Sequence, residues 1–144
     1  TIGQAGVFNF YCGFNRSIVD QTMRGKFDGL DAVMFGDHCV QLLGTADTIR
    51  AERPNLPIIG LTPVEAIARR LSLVWGVQSV MTGDPANLTD MVNKACRIAF
   101  EEGFVRAGDG LLITAGVPLG SPGATNMIRI AFVDANGEPM AEGR

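Results

Sequence analysis

Between Gly116 and Asn126 the chain gathers three glycines, two prolines, Ser121, Thr125 and Asn126. Glycines let backbone N–H groups approach an anion without a Cβ in the way, and hydroxyls add donors, so such a segment can cradle a phosphate. Gly120, Ser121, Gly123, Ala124 and Thr125 form the candidate anion-binding set. The same composition suits a tight connection that uses Gly for positive φ and Pro for rigidity. The pattern is neither the dinucleotide fingerprint nor the Walker loop, for it has no GxGxxG and no Gly-Lys-Ser/Thr.

Asp37, His38 and Cys39 place the only histidine beside a carboxylate and a thiol. Neighbouring side chains of an extended segment point to opposite faces, and a zinc site needs further ligands, so a loop histidine beside a buried cysteine is expected and no metal site is assigned. No catalytic residue is assigned either. Arg69, Arg70 and Trp75 could build a stacking or phosphate-binding patch, but helix-flanking arginines commonly stay solvated and a single Trp is commonly core.

Five short apolar runs read as the strands that must carry these residues: Leu30 to Phe35, Pro57 to Leu61, Ser79 to Thr82, Leu111 to Ala115 and Met127 to Val133. Most are nearly continuous in apolar character, as strands buried on both faces require. The alternation with helical patterns predicts an α/β fold with a mixed, mostly parallel five-stranded sheet. One helix is expected to start at Thr62, with Pro63 in the first position and Glu65 closing a capping box. Its Val64, Ile67, Ala68 and Leu71 make an apolar stripe.

A second helix is expected from about Thr89 to Glu102. It has Val92, Ala95, Cys96 and Ala99 on one face, an Asp90–Lys94 pair, and Gly103 as a left-handed stop. Shorter helices are read at about Ala46 to Glu52 and Ser17 to Arg24. Residues 1–28 otherwise receive no assignment, 29–134 form the core of a single domain, and 135–144 are a tail.

At 144 residues with 47% hydrophobic composition, one core without disulfides or metals is within reach. The net charge of −3 and dispersed Lys and Arg argue against nucleic acid as a partner. No apolar run reaches membrane-span length, so no membrane association is expected. Cys12, Cys39 and Cys96, without a CxxC pair, suit a reducing cytoplasm.

Three collinear segments resemble the C-terminal domain of pyruvate kinases of the bacterial type. They are RPNLPIIGLTPVEAIARRLSLVWGVQSVM at 53–81, DMVNKACRIAFEEGFVRAGDGLLITAG at 90–116 and GVPLGSPGATNMIRI at 116–130. The resemblance implies a three-layer α/β/α domain that contributes to subunit contact in a homo-oligomer and lies beside a catalytic barrel. It also implies that Gly120, Ser121, Gly123, Ala124 and Thr125 belong to a loop that binds a sugar-phosphate effector. In that family a Thr-x-Ser-Gly-x-Thr loop also grips the effector phosphate. Here residues 35–49 read FGDHCVQLLGTADTI, with Gly44, Thr45 and Thr48 but no serine.

Phosphoryl transfer from phosphoenolpyruvate to ADP, with its Mg²⁺ and K⁺, belongs to the family's barrel. No segment here resembles that barrel, so no cofactor is expected in this chain and the chain alone is expected not to catalyse. A stand-alone small-ligand or phosphate-binding α/β module, or a purely structural assembly domain, are the alternative readings.

Overall fold

The computed structural model describes residues 12–36, 41–119 and 125–140. Their sheet has five strands: β1 Ala32–Gly36, β2 Ile58–Thr62, β3 Val77–Met81, β4 Gly110–Ala115 and β5 Met127–Phe132. They lie in the order β3-β2-β1-β4-β5, the first four parallel and β5 antiparallel to β4. Val33 stands opposite Ile58 on one side and Leu112 on the other. The apolar runs thus become central strands: β4 is buried along its whole length and β1 in all but its last residue. The mixed, mostly parallel sheet is as the sequence implies.

Four helices cover the sheet: α1 Gly13–Met23, α2 Gln41–Glu52, α3 Glu65–Leu71 and α4 Leu88–Glu101. Crossovers between parallel strands are right-handed, so a chain stepping β1 to β2 to β3 lays α2 and α3 on one face, and the return past β1 to β4 lays α4 on the other. The pleat sorts the core accordingly. Val33, Phe35, Ile58 and Leu112 meet Ile18, Ala46 and Ile49 from α1 and α2. Ala32, Met34, Ile59, Leu111 and Ile113 meet Met91, Val92, Ala95, Cys96 and Ala99 of α4. α1 overlaps the helix expected at about Ser17 to Arg24 but starts four residues earlier, and its Ile18 and Val19 are fully buried.

α4 follows its expected register closely. Asn87 caps it by accepting from the Asp90 N–H at 2.9 Å, and Asp90 accepts from the Ala86 N–H at 2.8 Å. Lys94 pairs with Asp90 at 2.9 Å, and Gly103 follows the helix at φ +76°, the left-handed stop that glycine accepts without strain.

α3 departs from expectation. It begins at Glu65, and Val64 precedes it without a side-chain cap. Thr62 is the last residue of β2, fully buried, and its Oγ1 accepts from the Val64 N–H at 3.1 Å. The hydroxyl therefore closes a local turn between strand and helix, and the expected Thr62–Glu65 capping box does not form; sheet pairing with β3 holds Thr62 extended, opposite Met81.

α2 starts at Gln41, five residues before the expected Ala46. Gly44 inside it weakens local helix propensity by about 1 kcal/mol, and burial of Thr45, Ala46 and Ile49 outweighs that cost.

Candidate functional site

Parallel α/β sheets bind ligands beyond the carboxyl ends of their strands, where neighbouring crossovers leave to opposite faces. Here that point lies between β1 and β4. A cavity of about 60 Å³ opens there on the α4 side. Gly36, Thr62, Thr82, Thr114 and Leu119 line it from the strand ends and loops, and Lys94 from the helix. Gly36, Thr62, Thr82 and Thr114 reach it because β1 to β4 end at nearly the same level.

The loop of the candidate anion-binding set starts at this place, where Ala115 and Leu119 line the cavity. Its base is pinned by one side chain, for Asn126 Oδ1 accepts from the Val117 N–H at 2.8 Å and Asn126 Nδ2 donates to the Val117 carbonyl at 2.7 Å. The Asn126 N–H also donates to the Ala115 carbonyl at 3.1 Å, carrying the β4–β5 ladder one step further. Thr125 is buried at 3% exposure, and its Oγ1 has no hydrogen-bond partner among the described residues. Gly120, Ser121, Gly123 and Ala124 lie outside the described residues, as do Asp37, His38 and Cys39.

Charge at the cavity is nearly balanced. The Lys94 ammonium is held by Asp90 and by the Asp84 carbonyl at 3.0 Å. Asp90 in turn sits below the usual carboxylate range, chiefly because the Ala86 N–H donates to it and then because Lys94 does. Cys96 packs on the inner face of α4, fully buried. Desolvation, aided by the charges of Glu138 and Asp134, pushes its thiol up to about 11, so it is a core residue and no nucleophile. Among the described residues no three His, Cys, Asp or Glu side chains converge to hold a metal.

Lys94 was legible in the sequence only as the partner of Asp90, because nothing in its spacing shows that its stem borders a cavity. The Arg69 and Arg70 reading holds. Both are exposed, and Arg69 pairs with Glu65 at 2.5 Å along the helix. Trp75 does not follow: it is 79% exposed, and the cation at its ring is Arg50, 4.9 Å from the centroid. The turn that carries it ends at Gly76 with φ +72° and directs the indole away from the core.

Two wider surface hollows, about 500 and 640 Å³, flank β5 and share Arg129, Pro139 and Met140. The Phe132 carbonyl accepts from the Met140 N–H on the side away from β4. Peptide groups alternate along an antiparallel strand, so those of Ile130 and Ile128 face outward on the same open edge.

Residues 44–131 match the family model described as pyruvate kinase, alpha/beta domain. The chain is 51% identical over 81 residues to a pyruvate kinase of Methylorubrum extorquens, covering 56% of this chain and 17% of the relative. It is 44% identical over 102 residues to that of Staphylococcus aureus strain USA300, covering 69% and 17%. It therefore spans about one sixth of the length of these curated relatives. Among solved structures, a pyruvate kinase from Cryptosporidium parvum shares the fold with a TM-score of 0.64 at 20% identity, over 85% of this chain and 23% of that one. The strand order, the collinear segments and the match over residues 44–131 together place the chain in the pyruvate kinase α/β domain family.

Proposed function

We propose that this chain is the regulatory and subunit-contact domain of a cytoplasmic pyruvate kinase. In that enzyme a barrel outside these residues, with its Mg²⁺ and K⁺, transfers the phosphoryl group of phosphoenolpyruvate to ADP. The regulatory ligand is a phosphorylated sugar held by Gly120, Ser121, Gly123, Ala124 and Thr125. One observation carries this reading: the loop pinned at its base by Asn126 leaves the end of β4, and Ala115 and Leu119 there border the cavity.

A cavity of about 60 Å³ is far below the several hundred Å³ of ordinary ligand pockets, so the sugar sits in the mouth between the loops. Lys94 is already paired, and affinity then rests on backbone N–H groups. The outward edge of β5, with Ile130 44% and Met140 49% exposed, suits contact with a second subunit, since open edges are templates for pairing. An effector that binds one quaternary state better shifts the enzyme toward it by its differential affinity.

The test is calorimetry of wild type and Gly123→Val with ribose 5-phosphate, glucose 6-phosphate and fructose 1,6-bisphosphate. Wild type is expected to bind at least one and the variant none. Equal binding by both removes this loop from the site, and no binding by wild type leaves the assembly-only role.

A further inference from the structure

After β5 the chain turns back along the sheet. The Asp134 N–H donates to the Glu138 carbonyl at 2.8 Å, and Asp134 Oδ1 accepts from the N–H groups of Asn136 at 2.8 Å and Glu138 at 2.9 Å. Gly137 enters this turn at φ +81°, the left-handed position that a three-residue hairpin loop reserves for glycine. Val133 then stands opposite Pro139, and the Met140 N–H donates to the Phe132 carbonyl at 2.8 Å.

That last bond falls on the open edge of the sheet. Phe132, Ile130 and Ile128 are the residues of β5 whose peptide groups face away from β4. A second copy pairing with this strand through a twofold axis at Ile130 sets Ile130 against Ile130, and Ile128 of each copy against Phe132 of the other. The Phe132 carbonyl is the acceptor such a pairing needs at both its ends, and the returning segment has already taken it. Pro139, which brings no N–H, and Met140 lie where the incoming strand would run.

We propose that residues 134–140 are a strap that guards the outer edge of β5, and that its lifting sets how tightly two copies of this domain pair through that strand, given the reading of the β5 edge as the subunit contact.

The strap is built to come away. It is tied to α4 by the Arg97–Glu138 ion pair at 3.5 Å, whose side chains are 49% and 44% exposed, and a pair so exposed contributes little. Hollows of about 500 and 640 Å³ remain where Pro139 and Met140 meet Arg129. The strand beneath is anchored instead, with Ala131 and Val133 buried in the core, so the segment can leave without unmaking the sheet. An open strand edge is a template for another chain, and a cover held by so few bonds competes on near-equal terms with a second β5.

The test is sedimentation equilibrium of the 144-residue chain, of Gly137→Val and of a chain shortened to end at Asp134. Valine is strained at the φ of position 137, and its Cβ would stand 3.1 Å from the Phe100 ring, so the strap cannot close. The shortened chain lacks the strap altogether. Both are expected to dimerise about tenfold more tightly than wild type, with the Ile128 and Ile130 amides gaining protection from hydrogen exchange in the dimer. Ile130→Pro removes an outward donor that an edge strand can spare, and it should abolish the gain in the shortened chain.

Dimerisation of the shortened chain no tighter than that of wild type overturns the strap, whether or not Gly137→Val is stable. Tighter dimerisation that Ile130→Pro leaves intact, or that brings no protection at Ile128 and Ile130, overturns it too, because the pairing then lies elsewhere. A wild-type dimer weakened by Ile130→Pro but indifferent to the strap sinks this inference alone. A dimer that neither change affects sinks the β5 contact as well.

Discussion

Cys96 shows how burial sets chemistry at a single residue. A thiol raised to about 11 is protonated in the fold and ionises more readily once unfolded, near 9.0. The folded-state value is the higher one, so the stabilisation is complete below about pH 9 and is lost as pH rises toward 11. Two pH units correspond to about 2–3 kcal/mol. Denaturant midpoints should therefore fall across that window more steeply in wild type than in Cys96→Ala, and at pH 8 Cys96 should resist iodoacetamide until the chain is unfolded. Mass mapping of the alkylated peptide checks this.

Thr62 is the other residue whose environment sets its role. Thr62→Ala removes the buried acceptor of the Val64 N–H and should cost about 1 kcal/mol, with sugar-phosphate binding nearly unchanged. Coincident denaturant midpoints of the two proteins would show that the turn does not depend on this hydroxyl.

At the level of elements, α4 and α3 respond to opposite influences. α4 carries its own start signal, Asn87 and Asp90 exchanging hydrogen bonds across the first turn, and its stripe of Val92, Ala95, Cys96 and Ala99 meets the sheet as its spacing indicates. Asn87→Ala should destabilise the domain by about 1 kcal/mol. Asp90 has its folded-state value depressed, so its contribution is present above the ordinary carboxylate range and is lost as pH falls through the lower value. Asp90→Asn should flatten the loss of stability below about pH 4, read from urea midpoints at stepped pH. α3 is only Glu65–Leu71, and its placement comes from packing. Gly60 leaves room on β2 for Leu71, whose Cδ1 would stand 3.0 Å from a Cβ at that position.

Over the whole molecule, the proposed function separates a regulatory domain from a catalytic barrel outside these residues. Phosphoryl transfer needs metal ions and cations positioned around the transferred group, and among the described residues no such cluster converges. The isolated chain is expected to give no turnover in a coupled assay with ADP, phosphoenolpyruvate, Mg²⁺ and K⁺. Activity that copurifies with the chain after host enzyme is removed would overturn that expectation. The proposed effector loop lies at the carboxyl ends of the strands, whereas Arg50 and Trp75 meet where α2 ends and β3 begins.

The five strands and the α4 face were legible in the sequence because each is a local regularity. Leu111 to Ala115 is apolar at every position but Thr114, and only a strand covered on both sides tolerates that. The three collinear segments carried the family for the same reason, each being a continuous stretch. Tertiary structure decided the rest. Thr62 has the residue type and spacing of a helix cap, and pairing with Met81 made it a strand end instead. Trp75 has the composition of a core residue, and the packing of the α3–β3 turn leaves it 79% exposed. Arg50 and Trp75, twenty-five positions apart, meet only because α2 and the α3–β3 turn pack together. Periodicity reports which side of one element is buried; it does not report which two elements will close over the same charge.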